Sequence, residues 1–264
     1  MVDVKNVKPV ILSIAGLDPS GGAGIVADIK TIASLECFPA AVITSITFQN
    51  TVGVFGAEHQ TPAVVRAQIE PIVSDLTVAA AKTGMLATAE IIIEVARAFR
   101  ETQLPAPVVD PVMRATSGDE LIESEALDTL KSQLFPLSRL VTPNIPEAER
   151  LVSFTIRNVD DMRRAASEIQ RLGAPSVLVK GGHAAQELGA SVDVLLDETG
   201  ELTEFREEFV NVGAVHGSGC TLSAAIAACL GKGMGLVDAV GEAKRYVTEQ
   251  IRQAQELGHG ARPM

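Results

Sequence analysis

The fold of this chain can be inferred from residues 9–35, which read PVILSIAGLDPSGGAGIVADIKTIASL. The apolar run that opens this segment is typical of a buried strand. Residues 22–35 predict a helix with Ile25, Ile29 and Ile32 on one apolar stripe. A strand, a glycine-rich loop and a helix form the first part of a βαβ unit, which is the building block of a parallel sheet.

The same alternation of short apolar runs and longer amphipathic segments continues along the chain. It predicts strands at about 40–46, 78–83, 106–110, 138–142 and 175–180, a hairpin at 191–196 and 202–209, and helices at 62–75, 88–102, 123–134, 145–152, 159–172, 218–231 and 235–256. Strands that alternate with helices form a mainly parallel sheet with helices on both faces. We therefore predict one α/β domain over residues 1–264, with residues 1–8 as a flexible N-terminal extension.

Composition limits the possible functions. The net charge is −11 and no run of Lys or Arg stands out, so the surface repels nucleic acid and anionic membranes. No stretch of about 18 apolar residues, the length that spans a bilayer, is present. Three cysteines, an odd number at spacings that fit no metal site, indicate a reducing compartment. We expect a cytoplasmic protein that acts on small molecules and binds neither nucleic acid nor a membrane.

A glycine-rich loop leads into a helix at AVHGSGCTLSAA, residues 214–225. Gly217 and Gly219 let a ligand approach the backbone closely, and the first N–H groups of the helix form an anion site together with the helix dipole. A tight turn into a closely packed helix explains the same pattern. Cys220 lies in the first helical turn, where the dipole lowers the pKa of a thiol and makes it a candidate proton acceptor. His216 is expected to orient the loop.

Polar residues also follow three other predicted strands. In TPNIPEAE, residues 142–149, Asn144 and Glu147 fit a helix capping box. They also fit a Mg²⁺ site, because Mg²⁺ takes few protein carboxylates and keeps several waters. Asp110 ends another strand and is a second candidate for the metal. Lys180 ends a strand before two glycines, which suits either a cation beside phosphates or a solvated lysine before a turn.

Residues 22–27 match the dinucleotide-binding pattern GxGxxA loosely. A Rossmann unit places these glycines directly after the strand and an acidic residue at the end of the second strand. Here Leu-Asp-Pro-Ser intervenes, and Gln49 and Asn50 stand where the acid is expected. Asp28 is either a buried capping partner or a ligand contact, and together with Gln49 it offers hydrogen bonds to a ring. The absence of a Walker A motif from the sequence excludes a P-loop kinase.

These motifs together resemble the hydroxymethylpyrimidine/phosphomethylpyrimidine kinases of thiamin biosynthesis, which belong to the ribokinase-like superfamily. The resemblance runs nearly end to end and is carried by IAGLDPSGGAGIVADIKT, ITSITFQNT, AAKTGML, VVDPVMRATSGD, VTPNIPEAE, VLVKGGH, HGSGCTLSAAIAA and LGHG. It implies a ribokinase-like α/β fold and transfer of the γ-phosphoryl group of ATP to hydroxymethylpyrimidine and then to its monophosphate. It also implies Mg²⁺ as cofactor and a homodimer.

The resemblance implies roles for individual residues. Gln49 and Asp28 would read the pyrimidine, in a pocket lined by Gly16, Met85 and Val112. Residues 217–220 would form the anion hole, made of Gly217, Ser218, Gly219 and Cys220, with Cys220 as the base. Lys180 would touch the transferred phosphates, with Thr142 and Asn144 also at the nucleotide, and Asp110 and Glu147 would organise Mg²⁺.

Two departures and three alternatives accompany this hypothesis. Leu17 stands where the family usually has Ser or Thr, and residues 213–215 lack the polar pair that usually precedes His216, which affects possible nucleotide or monovalent-cation contacts. A vitamin B6 kinase has a similar framework, and Gln49 favours the pyrimidine because an amide pairs with an aminopyrimidine edge. The more distant alternatives are an NAD-dependent oxidoreductase and a non-catalytic ligand sensor.

Overall fold

The structure is a computed structural model that describes residues 7–115, 118, 120–182 and 190–264, apart from the side chain of Ser124. The predicted N-terminal extension, residues 1–8, therefore lies mostly outside the described residues. None of the helices in the described part of the chain is long and apolar enough to cross a membrane.

A nine-stranded sheet forms the centre of the molecule. Its strands are β1 (Val10–Leu17), β2 (Phe38–Gln49), β3 (Val54–His59), β4 (Val78–Thr83), β5 (Val108–Val109), β6 (Leu140–Val141), β7 (Val177–Lys180), β8 (Ala190–Leu196) and β9 (Leu202–Glu208). The spatial order is β3-β2-β1-β4-β5-β6-β7-β8-β9. The six strands from β2 to β7 in this order are parallel, and β3, β8 and β9 are antiparallel to their neighbours. The predicted mainly parallel α/β sheet is confirmed.

Within the residues that the structure describes, eight α-helices cover the sheet. They are α1 (Gly24–Ser34), α2 (Pro62–Asp75), α3 (Ala89–Glu101), α4 (Ser124–Thr129), α5 (Ile145–Val152), α6 (Val159–Arg171), α7 (Ser218–Gly231) and α8 (Leu236–Gln253). After α4, the chain continues through a wide helical turn at Leu130–Leu134 and a 3₁₀ turn at Phe135–Leu137. A short parallel pair, β10 (Val215–His216) and β11 (Arg262–Pro263), lies apart from the main sheet.

The helices form one layer on each face because neighbouring strand residues point to opposite sides. Ile11 of β1 packs in a cluster with α1, α7 and α8. Leu12, the next residue, packs in the second cluster with α2 to α6. Since β1 is in the interior of the sheet, both faces of this strand are buried.

The carboxyl ends of the parallel strands meet at one edge of the sheet, as the sequence predicted. Gly84 after β4 donates its N–H to Ile14 of β1, and Asp110 after β5 donates to Thr83 of β4. Lys180 likewise donates its backbone N–H to Pro143 after β6. The polar motifs that follow these strands are thereby brought side by side.

One detail of α1 differs from the prediction. The apolar stripe was expected to contain Ile29, but Ile29 is 37% exposed, whereas Asp28 is 0% exposed. Ile25 and Ile32 are buried as predicted. A carboxylate therefore occupies part of the face that α1 turns toward the sheet, and its partner must lie inside the protein.

Candidate active site

Two glycine-rich loops meet at the start of α7. Gly217 caps this helix in the left-handed conformation, with φ of 91°. A Cβ at Gly217 would stand 1.8 Å from the carbonyl oxygen of Gly22, in the loop before α1. Only glycine allows this approach. The N-terminal N–H groups of α7 are not paired within the helix, which is the arrangement that the predicted anion hole at residues 217–220 requires.

A buried hydrogen bond fixes the two loops together. His216 Nε2 lies 3.0 Å from Oδ2 of Asp18, and the same carboxylate accepts the N–H groups of Gly22 and Ala23 at 3.1 and 2.8 Å. Burial raises the pKa of Asp18, but hydrogen bonds from His216 and Ser20 outweigh it and hold the pKa below its ordinary value. His216 thus orients its loop as expected. Asp18 was missed in the sequence, where Asp-Pro-Ser reads as an ordinary turn.

The same contacts argue against a dinucleotide site at residues 22–27. A Cβ at Gly22 would stand 2.5 Å from the ring of His216, and one at Gly24 would stand 2.2 Å from the carbonyl oxygen of Gly16. These glycines are needed for packing between protein segments. They do not open the backbone toward a pyrophosphate, which is the purpose of the glycines in a Rossmann unit.

Lys180 and Asp110 form the charged centre of the site. Lys180 Nζ lies 2.8 Å from Oδ1 of Asp110. A Cβ at Gly219 would stand 3.2 Å from that Nζ and 3.6 Å from Oδ2 of Asp110, so the start of α7 faces both charges. Thr142 donates its hydroxyl to Asp110 Oδ1 at 3.2 Å, and Ser223 of α7 lies 3.4 Å from Oδ2. Lys180 is thus paired inside the site, not solvated before a turn.

Asn144 and Glu147 form the capping box at the start of α5. Asn144 Oδ1 accepts the N–H of Glu147 at 2.9 Å, and Glu147 Oε2 accepts the N–H of Asn144 at 2.8 Å. Burial raises the pKa of Glu147 from 4.5 to about 7. The ammonium of Lys180 lowers this pKa, and Asp110 raises it further. The backbone N–H of Met113 also donates to this carboxylate, and the two bonds together use only part of its hydrogen-bonding capacity.

Asp110 and Glu147 would suit Mg²⁺ only if waters and substrate phosphates supplied its other ligands. No cluster of three or more His, Cys, Asp or Glu side chains suited to a metal occurs in the described residues. Mg²⁺ is usually bound by one or two carboxylates, several waters and substrate phosphates. Asp110 and Glu147, which both act on Lys180, fit this smaller donor set.

A second group of predicted residues surrounds the ends of β1 and β2. A Cβ at Gly16 would stand 3.0 Å from the sulfur of Met85, whose backbone oxygen accepts the hydroxyl of Thr44 at 2.7 Å. Thr47 donates to the carbonyl of Leu17 at 2.9 Å and accepts the Gln49 amide at 2.7 Å. The bond from Gln49 Nε2 to Thr47 fixes the orientation of the whole amide, including its oxygen Oε1.

A cavity of about 410 Å³ opens beside this group. It is lined by Met85 and Ala87, by residues of β3 and by residues 120–123. Val112, another predicted pocket residue, is half-buried two positions after Asp110, on the segment that leads toward this cavity. Gly16 and Met85 are in contact, and Gln49 is linked to the end of β1 through Thr47. For Val112 the structure gives only its half-buried position after β5.

The thiol of Cys220 does not have the lowered pKa that the sequence suggested. Burial raises its pKa to about 11. The ammonium of Lys82 lowers this pKa, Asp28 and Asp110 raise it, and the Gly24 N–H, which donates to the sulfur, lowers it. Loss of hydration outweighs the helix dipole here, because desolvation disfavours the charged form of any acid. The expectation of a partly ionised thiol is therefore wrong for the free protein.

Asp28 is not presented to a ligand. Its side chain is 0% exposed and forms an ion pair with Lys82, whose Nζ lies 3.0 Å from each carboxylate oxygen. Ser13 of β1 donates to Asp28 at 2.5 Å. The structure supports the buried-partner alternative, and the predicted contact between Asp28 and the pyrimidine is corrected, because every carboxylate oxygen already has partners. Lys82 was missed, although a lysine inside the apolar strand AAKT is an unusual signal.

The chain is similar to known kinases over nearly its whole length. The family model described as "Phosphomethylpyrimidine kinase" matches residues 18–264. The chain is 45% identical over 257 residues to the hydroxymethylpyrimidine/phosphomethylpyrimidine kinase of Mycobacterium tuberculosis, covering 97% of this chain and 93% of that protein. It is 46% identical to the thiamine biosynthesis bifunctional protein ThiED of Geobacter sulfurreducens over 96% of this chain, but spans only 51% of that longer protein.

Solved structures give the same result. The phosphomethylpyrimidine kinase of Clostridium difficile has a TM-score of 0.80 and 41% identity, covering 92% of this chain and 100% of that chain. The Bacillus subtilis pyridoxal kinase in its ADP complex has a TM-score of 0.89 at 35% identity, covering 97% of both chains. Similarity in fold thus extends to a pyridoxal kinase, while the family model and the named relatives favour a pyrimidine.

Proposed function

Because the chain belongs to the phosphomethylpyrimidine kinase family, we propose that it transfers the γ-phosphoryl group of ATP to the hydroxymethyl oxygen of 4-amino-5-hydroxymethyl-2-methylpyrimidine, and then a second one to the monophosphate. This places the enzyme in thiamin biosynthesis. One observation carries the proposal in the structure. The start of α7, the proposed anion hole, faces the Lys180–Asp110 pair, and Gln49 ends β2 at the same edge of the sheet.

The proposed mechanism divides the work between these two groups. Gln49 pairs with the aminopyrimidine edge and directs the hydroxymethyl group toward Cys220. The sulfur of Cys220, once it has lost its own proton to solvent, accepts the alcohol proton. The alcohol oxygen bonds to the γ-phosphorus while the bond from that phosphorus to ADP breaks. The N–H groups at residues 217–220 and the ammonium of Lys180 hold the charge that builds on the phosphoryl oxygens.

Asp110 and Glu147 are proposed to hold Mg²⁺ through its waters. The metal supplies neutralisation of the phosphate charge when it is bound. Lys180, which pairs with Asp110 in the free protein, then turns its ammonium toward the phosphates. Thr142 and Asn144 hold Asp110 and Glu147 in place through the contacts described above and are proposed to lie beside the nucleotide.

The experiment is an ADP-release assay with two alcohols. Purified protein is given Mg-ATP with either hydroxymethylpyrimidine or pyridoxal, and the second phosphorylation is followed by mass spectrometry. We expect a higher kcat/KM for the pyrimidine. Faster turnover of pyridoxal would reverse the choice of substrate. Binding of the pyrimidine without ADP release would favour the ligand sensor, and tight binding of NAD without ATP would favour the oxidoreductase.

A vitamin B6 kinase is the second candidate, favoured by the likeness to pyridoxal kinases at a TM-score of 0.89. Gln49 separates the two substrates. Gln49→Met keeps the length of the side chain but removes the amide, so kcat/KM for the pyrimidine is expected to fall by about 10- to 100-fold, the usual effect of a lost pair of hydrogen bonds. The value for pyridoxal should fall less. Equal losses would show that Gln49 does not select the ring.

A homodimer is proposed on the basis of an exposed apolar surface on β2 and β3. Phe48 and Phe55 are 52% and 71% exposed, and Ile46 is 39% exposed. A surface of this kind marks a protein–protein contact. Phe48→Asp and Phe55→Asp are therefore expected to yield monomers in sedimentation velocity. Phe38→Asp, at the opposite end of β2 and equally exposed at 51%, is the matched control and should remain dimeric.

A further inference from the structure

The buried ion pair of Lys82 and Asp28 joins β4 to α1, and the first residue of α1 contacts the sulfur of Cys220. We propose that Lys82 is a positioning residue whose ammonium, held in place by Asp28, stabilises the thiolate form of Cys220. This inference rests on the proposed function for the role of the thiolate in phosphoryl transfer. The effect of the pair on the sulfur can, however, be measured without turnover.

The geometry connects the pair to Cys220 through α1. Gly24, the first residue of α1, donates its N–H to the sulfur of Cys220. Asp28 lies four residues later and thus on the same side of the helix. Lys82 reaches Asp28 from β4, with 3.0 Å between Nζ and each oxygen, and Ser13 reaches it from β1. The ion pair and the contact to the sulfur therefore lie on one side of α1, one helical turn apart.

The pair has the short distances of an ion pair and is completely enclosed. Both side chains are 0% exposed. Burial lowers the pKa of Lys82, but the carboxylate of Asp28 outweighs it and holds the pKa above its ordinary value. A buried ion pair contributes little to stability compared with apolar side chains of similar size. Its place near Cys220, the proposed proton acceptor, therefore points to a role in the chemistry.

The charges around Cys220 come from four elements. Lys82 on β4 and Lys180 at the end of β7 are cationic, and Asp28 on α1 and Asp110 after β5 are anionic. Lys82 exerts the largest effect of these charges on the thiol. Removing Lys82 should therefore disfavour the thiolate, whereas neutralising Asp28 should favour it.

The test measures alkylation of Cys220 by iodoacetamide in the free protein between about pH 7.5 and 9.5. Mass spectrometry of the Cys220 peptide separates this thiol from Cys37 and Cys229. At a fixed pH we expect Lys82→Met to slow alkylation and Asp28→Asn to accelerate it, each by about tenfold, the effect of a change of one in the thiol pKa. The double variant Lys82→Met/Asp28→Leu should return close to the wild-type rate.

Opposite changes in the alkylation rates of the two variants would show an electrostatic effect of the ion pair. Loss of structure would instead expose the thiol and accelerate alkylation in both variants. Lys244→Met is the matched control. Lys244 forms another buried pair, with Asp193 at 2.7 Å, and its loss should leave the Cys220 rate within about twofold. Equal rates for the wild type, Lys82→Met and Asp28→Asn, or faster rates for both variants, would overturn the proposal. If Lys82→Met slows alkylation and Asp28→Asn accelerates it, but the wild-type protein releases no ADP, the proposed function alone would be contradicted.

Discussion

At the scale of single residues, Cys220 carries the proposed chemistry. Cys220→Ala removes the proton acceptor but leaves the N–H groups of α7, so kcat should fall by roughly 10²–10⁴, the usual range for a lost general base. The Kd of the pyrimidine should change little. Cys220→Asp should keep part of the activity, because a carboxylate accepts a proton as well. Initial rates and isothermal titration measure both quantities, and normal turnover by Cys220→Ala would refute the assignment of the base.

The raised thiol pKa adds a dependence on pH. With a pKa of about 11 for Cys220, the thiolate is a minor form at neutral pH, so kcat should rise with pH between about 7 and 9.5. In Cys220→Asp the carboxylate is ionised throughout this range, and the rise should disappear. If kcat of Cys220→Asp rose equally steeply with pH, the rise would be caused by the titration of another group.

Glu147 makes a separate contribution to the pH dependence of stability. Its pKa is raised from 4.5 to about 7 by burial, so between these values the folded protein keeps a proton that the unfolded chain has lost. Stability should therefore fall as pH rises from about 4.5 to 7, by an amount on the order of 3 kcal/mol.

Urea unfolding at several pH values measures this effect, and Glu147→Gln should flatten the curve because it does not titrate. Glu90→Gln is the matched control, since Glu90 also lies in the first turn of a helix but is exposed. The Glu90→Gln curve should follow that of the wild type. Parallel curves for the wild type and Glu147→Gln would contradict the raised pKa.

The residues differ in how well the sequence predicts them. Glycines and polar residues at strand ends, such as Gly217, Gln49 and Lys180, can be located because the carboxyl ends of parallel strands meet. The side-chain environment of Asp28 could not be predicted, because its partner Lys82 is 54 residues away in the chain. The thiol pKa of Cys220 could not be predicted either, since the helix position is visible in the sequence and the burial is not.

At the scale of elements, we expect the proposed activity to depend on how closely α7 approaches the loop before α1. Gly217→Ala would place a methyl group 1.8 Å from the carbonyl oxygen of Gly22, so the start of α7 must shift. A misplacement of about 1 Å can cost 10²-fold in rate, and we expect kcat to fall by about this factor. Steady-state kinetics measure the loss.

Gly233→Ala is the control for this prediction. Gly233, just beyond the other end of α7, also has a positive φ of 87°, but a Cβ there would meet nothing within 4 Å. Its substitution should cost about 1–2 kcal/mol of stability through backbone strain and leave kcat unchanged. Equal losses of kcat in Gly217→Ala and Gly233→Ala would mean that strain, and not the contact with Gly22, explains the effect.

Most elements were predicted from apolar periodicity, and α2, β4, α5 and α7 have the predicted bounds. The exceptions have physical reasons. The predicted strand at 40–46 continues to Gln49 because β3 pairs with its end, and the sequence of β3, VFGAEH, is too short and polar for its periodicity to stand out. The pair β10 and β11 was missed because it joins segments 47 residues apart.

At the scale of the whole molecule, the segment from Gly258 to the end of β11 connects the two halves of the proposed site. Ala261 donates its N–H to the carbonyl of Thr51, just beyond Gln49, and Arg262 donates to Ala214, just before the anion hole, both at 2.8 Å. Pairing of Arg262 with Val215 extends this link. The end of β2, proposed to bind the pyrimidine, and the loop before α7, proposed to bind the phosphates, are thus both tied to a third part of the chain.

Gly260→Ala tests this connection. A Cβ at Gly260 would stand 1.9 Å from the carbonyl oxygen of Thr51, so the bond from Ala261 must break and the segment must move away. Because the segment supports both halves of the site, the affinities for ADP and for the pyrimidine should both weaken, by about tenfold each, or about 1.4 kcal/mol. Isothermal titration measures the two dissociation constants separately.

Gly235→Ala is the matched control, because Gly235 has an ordinary φ of −64° and the nearest atom to an added Cβ is 4.0 Å away. The Gly235→Ala variant should lose at most about 1 kcal/mol of stability and bind both ADP and the pyrimidine normally. If Gly260→Ala weakened only the pyrimidine, the segment would support the end of β2 alone. If it weakened neither ligand while lowering the melting temperature, the segment would stabilise the fold without setting the distance across which the phosphoryl group must pass.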